Sequence, residues 1–254
     1  MILQYCSDLH QEFDANRYWL AEYPLVPRGD ILIIAGDTHC LGKGYERLPL
    51  WDYLSQNFRE TYVLPGNHEY YGGYDTEHHL HEVRVPLRKN VWLVNNYVVD
   101  KPEARLIFTT LWSRIEQHIA PILLGMADFK RVRYQGKVIG VAQYNLLHRA
   151  ACQFLEKALS ASPAVAQSQI VVTHHLPSEQ CNDDEFKGSL LNEAFCVDLT
   201  SFIEQAPVDA WIYGHSHRNV AEFRLGGTRL LTNQLGYVHF GEHSQFDPAA
   251  SITV

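Results

Sequence analysis

Ile2-Leu3-Gln4-Tyr5-Cys6, followed at once by Ser7-Asp8-Leu9-His10, reads as a short β-strand that hands polar donors to its carboxyl end. A nearly continuous apolar run of this length marks a strand covered on both faces. Four more runs repeat the pattern: Ile31–Ala35, Thr61–Leu64, Gln169–Thr173 and Asp209–Tyr213. Segments with helical spacing lie between them, at Tyr45–Phe58, Thr76–Leu87 and Tyr144–Leu159, the last with Leu147, Ala151, Phe154, Leu155 and Ala158 on one stripe. Strand and helix in alternation predict an α/β fold. Val91–Val99, Arg105–Thr110, Val220–Arg224 and Thr228–Thr232 add further strands, the last two joined at Leu225-Gly226-Gly227 like a hairpin. A second sheet is therefore expected.

The residues just past each of the five runs carry the chemistry. Asp8-Leu9-His10 comes after the first, Gly36-Asp37 after the second, and Pro65-Gly66-Asn67-His68-Glu69 after the third. His174-His175 succeeds the fourth, and Gly214-His215-Ser216-His217 the fifth. Ligands of open α/β sheets bind beyond the carboxyl ends of the strands, so donors remote in sequence converge there. Two Asp, one Asn and several His, with no thiolate, suit Mn, Fe, Zn or Co better than a structural zinc, and are too nitrogen-rich for Ca or Mg alone. The donors exceed the needs of one ion, whereas two ions about 3.5–4 Å apart that share a carboxylate would use them fully. A dinuclear centre is predicted.

The ordered series Asp8-x-His10, Gly36-Asp37, Gly66-Asn67-His68-Glu69, His174 and Gly214-His215-x-His217 resembles the calcineurin-like metallophosphoesterase family. Each element alone is commonplace; five in order, each after a strand, are specific. The resemblance implies a four-layer αββα sandwich of two mixed β-sheets flanked by helices. It implies that Asp8, His10 and His217 hold one divalent transition-metal ion, that Asn67, His174 and His215 hold the other, and that Asp37 bridges them. His68 would stand beside the metals without binding them and protonate the leaving group, while a dimetal-bridging hydroxide attacks a small phosphomonoester or phosphodiester. Cyclic-nucleotide or nucleotide-pyrophosphate hydrolysis is the alternative within the class. A non-catalytic interaction scaffold of the same fold is the alternative outside it, and such a scaffold has no need of His68 or a complete ligand set. A hydrolase of C–N bonds would normally carry other ligands. Protein Ser/Thr phosphatases place an arginine just before Gly-Asn-His-Glu and use Gly-Asp-x-x-Asp-Arg-Gly; here Pro65 and Gly36-Asp37-Thr38-His39-Cys40 stand there, which disfavours a phosphoprotein substrate.

Composition narrows the partners. The chain has 254 residues and no long Pro/Gly/Ser linker, so a single domain over 1–254 is expected. A net charge of −8 argues against a nucleic-acid polymer as partner. The longest nearly apolar stretch, Ile119–Ala127, is too short to span a membrane. Cys6, Cys40, Cys152, Cys181 and Cys196 are scattered and odd in number, which reads as reduced thiols in the cytoplasm.

Several residues near the motifs invite a role. Of the adjacent His174 and His175 only one should face the site, since side chains alternate along a strand. Glu69 reads as a residue that caps or hydrogen-bonds its loop, and Tyr70-Tyr71-Gly72-Gly73 as a lining of the substrate pocket or, in preference, as tyrosines packed beneath a glycine turn. Lys130-Arg131-Val132-Arg133 is the one basic cluster, a solvated charge run or a phosphate clamp. Trp112-Ser113 would reach the pocket if the strand before it points there. His39, His78, His79, His81, His118, His148, His239 and His243 are read as ordinary surface or core histidines. The least regular stretches, Leu111–Gln143 and Leu176–Asn192, are binding loops or plain connecting surface.

Overall fold

The strand runs form as expected because each buries both faces. In the computed structural model, which describes residues 1–161 and 167–254, the amino-terminal half gives β1 (Ile2–Cys6), α1 (Asp14–Glu22), β2 (Ile31–Ala35), α2 (Pro49–Asn57), β3 (Glu60–Leu64), β4 (Val83–Arg88) and β5 (Val91–Asn95). β6 (Tyr97–Asp100) and β7 (Ala104–Thr109) come next, then α3 (Ile119–Gly125), α4 (Asp128–Arg131), the small hairpin β8 (Arg133–Tyr134) and β9 (Lys137–Val138), and α5 (Val141–Ser160). The remainder is β10 (Ser168–Thr173), α6 (Thr200–Gln205), β11 (Ala210–Tyr213), β12 (Phe223–Leu225), β13 (Thr228–Thr232) and β14 (Ser251–Thr253). One six-stranded sheet has the order β14-β1-β2-β3-β5-β4 and the other β12-β13-β11-β10-β7-β6. Both are mixed: the four central strands of each run parallel and the edge strands antiparallel.

The alternation along β2 shows how the layers stack. Ile31, Ile33 and Ala35 join Leu106, Phe108, Ile170 and Val172 in the core between the sheets. Leu32 and Ile34 turn the other way, onto Trp51 and Leu54 of α2. The second sheet repeats this on its outer face, where Ile107, Val171 and Trp211 pack on Ala151, Leu155 and Ala158 of α5. The result is the four-layer α/β sandwich. Each fully buried aliphatic side chain in it is worth about 1.5–3 kcal/mol.

Three expectations change in the structure. Thr76–Leu87 is not a helix but a 3-10 turn over Thr76–His79 and then β4. Its two buried positions, Val83 and Leu87, are four apart, a spacing that fits a helix and a strand alike. Val-Arg-Val-Pro favours the strand, and Pro86 is tolerated because β4 is an edge. Val91–Val99 is two strands in different sheets, parted by Asn96 in left-handed backbone with φ 48°. Tyr45–Phe58 divides into a 3-10 turn and α2, which begins at Pro49. Among the described residues no helix is long and apolar enough to cross a membrane.

Candidate metal centre

Because β1, β2 and β3 run parallel in one sheet and β10 and β11 in the other, their carboxyl ends deliver Asp8, Asp37, Asn67, His174 and His215 to one rim. All seven predicted ligands and His68 converge there; His217 is partly exposed and the others are buried. Asp8, His10, Asp37 and His217 offer donor atoms within 4.8 Å of one another, and so do Asp37, His174 and His215. Asp37 belongs to both groups. Its Oδ2 lies 3.8 Å from His10 Nε2 and its Oδ1 3.4 Å from His174 Nε2, so its two oxygens face opposite groups. Asn67 Oδ1 completes the second group, 3.2 Å from His174 Nε2, with His215 Nδ1 3.1 Å from the same nitrogen. Each group draws on both sheets.

The ring orientations are set from outside. His10 Nδ1 meets Glu12 Oε1 at 3.1 Å, His217 Nδ1 meets Glu242 Oε2 at 2.8 Å, and His174 Nδ1 meets the Ala35 carbonyl at 2.9 Å. Each of those oxygens accepts the Nδ1 proton, which turns three Nε2 atoms inward, able to bind a cation once they give up any proton of their own. His10 and His217 point theirs at each other across 2.9 Å. At that distance the two nitrogens must share a proton or a cation, so the pair is built to hold positive charge. The electrostatics agree: burial pushes the His174 and His217 imidazoles down, yet Asp37 lifts the first to about 9, while Asp8 and Glu242 lift the second to about 10. Positive charge belongs in this pocket, and a mixed oxygen and imidazole set buried from water fits divalent transition metals.

Local backbone is bent to achieve this. Asp8, His10, Asp37, His215 and His217 all have left-handed backbone, with φ between 46° and 80°. That conformation costs a non-glycine residue roughly 1–2 kcal/mol, and five such residues in one cleft mark a functional site. Glu69 ties the loops: its carboxylate accepts the backbone N–H groups of Asp37 (3.0 Å), Thr38 (2.8 Å) and Gly66 (2.7 Å). Gly66 is needed for closeness, since a Cβ there would stand 2.2 Å from Asp37 Oδ1 and 2.6 Å from His174 Nε2.

His68 lies beside the first group, with its ring centroid 4.5 Å from that of His10 and its backbone N–H donated to Asp37 Oδ1 at 2.9 Å. Its Nδ1 meets Glu12 Oε1 at 2.7 Å, and its Nε2 is 3.3 Å from the Tyr237 hydroxyl. Burial disfavours charge on this imidazole, but Asp37 and Glu12 outweigh burial and raise its pKa. Burial raises the Glu12 carboxyl in turn, while hydrogen bonds from His10 and His68 bring it down to about 2.

Sequence reasoning missed Glu12, Glu242, Tyr237 and Asp128. Glu12 had a local signal, as the next same-parity position after Asp8 and His10; Glu242, 25 residues beyond His217, had none. His175 turns away from the donors, close to the Tyr144 hydroxyl (3.2 Å) and the Thr110 carbonyl (3.3 Å), and its ring lies 4.2 Å from that of His215. Trp112 is buried, its ring among those of Tyr70, Tyr144 and His175, and serves as a floor. The Tyr71 ring rests 4.1 Å from His68, and the Arg131 guanidinium sits 5.4 Å over that tyrosine. Lys130 and Arg133 are turned to the backbone carbonyls of Leu124 and Gly136.

Residues 5–219 match the family model described as calcineurin-like phosphoesterase. An uncharacterized protein of Acanthamoeba polyphaga mimivirus is 28% identical over 283 aligned positions, which cover 100% of this chain and 96% of the relative. In fold, the chain is similar to the phosphopantetheinyl hydrolase of Mycobacterium tuberculosis, with a TM-score of 0.74 at 15% identity over 98% of this chain and 95% of that one. It is also similar to a dimetal phosphatase from Danio rerio, with a TM-score of 0.51 at 14% identity over 98% and 89% of the two chains.

Proposed function

The chain belongs to the calcineurin-like phosphoesterase family, hydrolases of phosphoester bonds, and from that premise we propose that it is a dinuclear phosphohydrolase acting on a small phosphomonoester or phosphodiester. The observation that carries this reading is Asp37, whose two oxygens face two separate groups of donors. Asp8, His10 and His217 would hold one ion and Asn67, His174 and His215 the other, with Asp37 common to both. Bound there, two divalent ions supply Lewis-acid charge for the phosphoryl oxygens and bring the pKa of water toward about 7.

The chain's own residues do the rest. Glu12 holds His68 at Nδ1 and favours its protonated form, so Nε2 carries a proton into the cleft for a departing oxygen. The backbone N–H of His68, donated to Asp37, ties that proton to the carboxylate that would be common to both ions. The Tyr237 hydroxyl lies at the same Nε2 and helps to orient the ring. Retention of His68 together with a whole donor set supports an enzyme over a scaffold.

The test is a panel of p-nitrophenyl phosphate, its bis ester, cyclic nucleotides and a phosphopantetheinyl ester, assayed after chelation and after adding back Mn, Co, Zn or Fe. Turnover that chelator abolishes and metal restores is expected, with two ions bound per chain. A stripped protein as active as the loaded one, or a chain that binds no ion, overturns the proposal.

A further inference from the structure

A carboxamide ligates a cation only through its oxygen, and its nitrogen end is nearly the same size, so an asparagine in a ligand position must be held the right way round. Asp37 is free of this difficulty, and His10, His174 and His217 are oriented by the outer acceptors of their Nδ1 protons. Asn67 faces His174 with Oδ1 and turns its nitrogen away, where Nδ2 donates to the Tyr71 hydroxyl at 3.0 Å and to Asp128 Oδ2 at 3.4 Å. The Tyr71 hydroxyl donates in turn to that same Oδ2 at 2.8 Å. Asp128 opens α4, within a stretch that looked irregular in sequence, and is only 1% exposed. Its other oxygen, Oδ1, is buried without a hydrogen-bond partner among the described residues. A carboxylate only accepts hydrogen bonds, so it repels the oxygen end of the amide and attracts the nitrogen end. A buried acid with so few partners is expensive unless it has a task.

We propose that Asp128, with Tyr71 as its relay, is the positioning residue for Asn67, fixing the amide with its oxygen toward the ion shared with His174 and His215. The inference rests on the two-ion proposal for this site. It gives α4 a function at the metal centre that no motif announces. Outer partners of metal ligands are worth about 10–100-fold in metal affinity, which sets the expected effect.

The experiment is a titration of the chelator-stripped full chain with Mn2+, monitored by calorimetry and by the electron paramagnetic resonance of coupled and isolated ions. In Asp128→Ala one of the two binding steps should weaken by about 10–100-fold while the other holds, and the coupled-pair signal should give way to that of isolated Mn2+. Tyr71→Phe should move the same step in the same direction by less. Orientation has its own signature in Asn67→Asp, whose two terminal oxygens are equivalent: there Asp128→Ala should cost little. An equal loss in both backgrounds would mean that Asp128 only packs, and an unchanged affinity beside Asn67 would mean that it does nothing; either overturns the inference. Should Asp128→Ala fail to fold, Asp128→Asn keeps one acceptor oxygen, and its smaller loss must likewise vanish beside Asn67→Asp. A wild-type chain that never binds a second ion overturns the two-ion reading and this inference with it, whereas two tightly bound ions in both proteins overturn the inference alone.

Discussion

Replacing His68 by Asn separates proton donation from every other contribution of the site. Its Nδ1 is engaged by Glu12 at 2.7 Å, so only Nε2 can deliver a proton, and asparagine has none of comparable acidity to give. The backbone N–H that fixes Asp37 at 2.9 Å survives the substitution, so the donor groups should stay assembled. A placed general acid is worth about 100- to 10,000-fold, or roughly 3–5 kcal/mol of barrier, and that loss should appear with an alkyl phosphoester. With p-nitrophenyl phosphate, whose leaving group departs readily as an anion, the loss should shrink toward nothing. Glu12→Gln keeps the shape and removes the charge. Hydrogen bonds to charged groups exceed neutral ones by about 1–1.5 kcal/mol, so a loss of roughly tenfold is expected on the alkyl ester. The measurement is kcat on the two esters for wild type and both variants at saturating metal, with metal content checked. Equal losses on both esters would refute the argument, because a group that only supports the metals cannot tell one leaving group from another.

Gly66→Ala should lower metal affinity about 10–100-fold, the equivalent of the roughly 1–3 kcal/mol that overpacking costs, since the new Cβ would stand 2.2 Å from Asp37 Oδ1; metal content by elemental analysis beside an unchanged circular dichroism spectrum checks it. Glu242→Gln should weaken the ion held by Asp8, His10 and His217 by about 10–100-fold, because Oε2 no longer fixes His217 as a carboxylate does, and calorimetric titration reads this directly. Burial holds His79 down at about 4 in the folded chain against 6.5 in the unfolded one. The unfolded state therefore binds more protons between those values, so stability present above pH 6.5 falls as pH drops toward 4, by about 3 kcal/mol in all. His79→Gln should flatten that part of the stability curve in urea titrations.

The fold was legible because the decisive strands are buried twice over. Ile31–Ala35 admits no polar residue on either face, and its shortness and three isoleucines favour a central strand over a buried helix. Where burial was one-sided the pattern misled: Val83 and Leu87, four apart, serve either period. Asn96 hid the passage of the chain between sheets because one left-handed residue leaves hardly a trace in hydrophobic pattern. The inner donors were readable because each lies directly past its strand. Their supports were not: Glu242 reaches His217 from a 3-10 turn near the carboxyl end, and Asp128 reaches Asn67 across 61 residues. Contacts of that kind are made by tertiary folding alone and carry no local spacing.

Drawing each donor group from both sheets has a mechanical consequence. The sheets already touch at this rim, as in the bond from His174 Nδ1 to the Ala35 carbonyl, and two cations seated there would add rivets through the layers. Each site filled at 100 times its dissociation constant would add about 2.7 kcal/mol against shearing the layers apart. Catalytic competence and resistance to heat would thus be drawn from the same reservoir of dissolved metal, and scarcity of the one would be felt at once in the other.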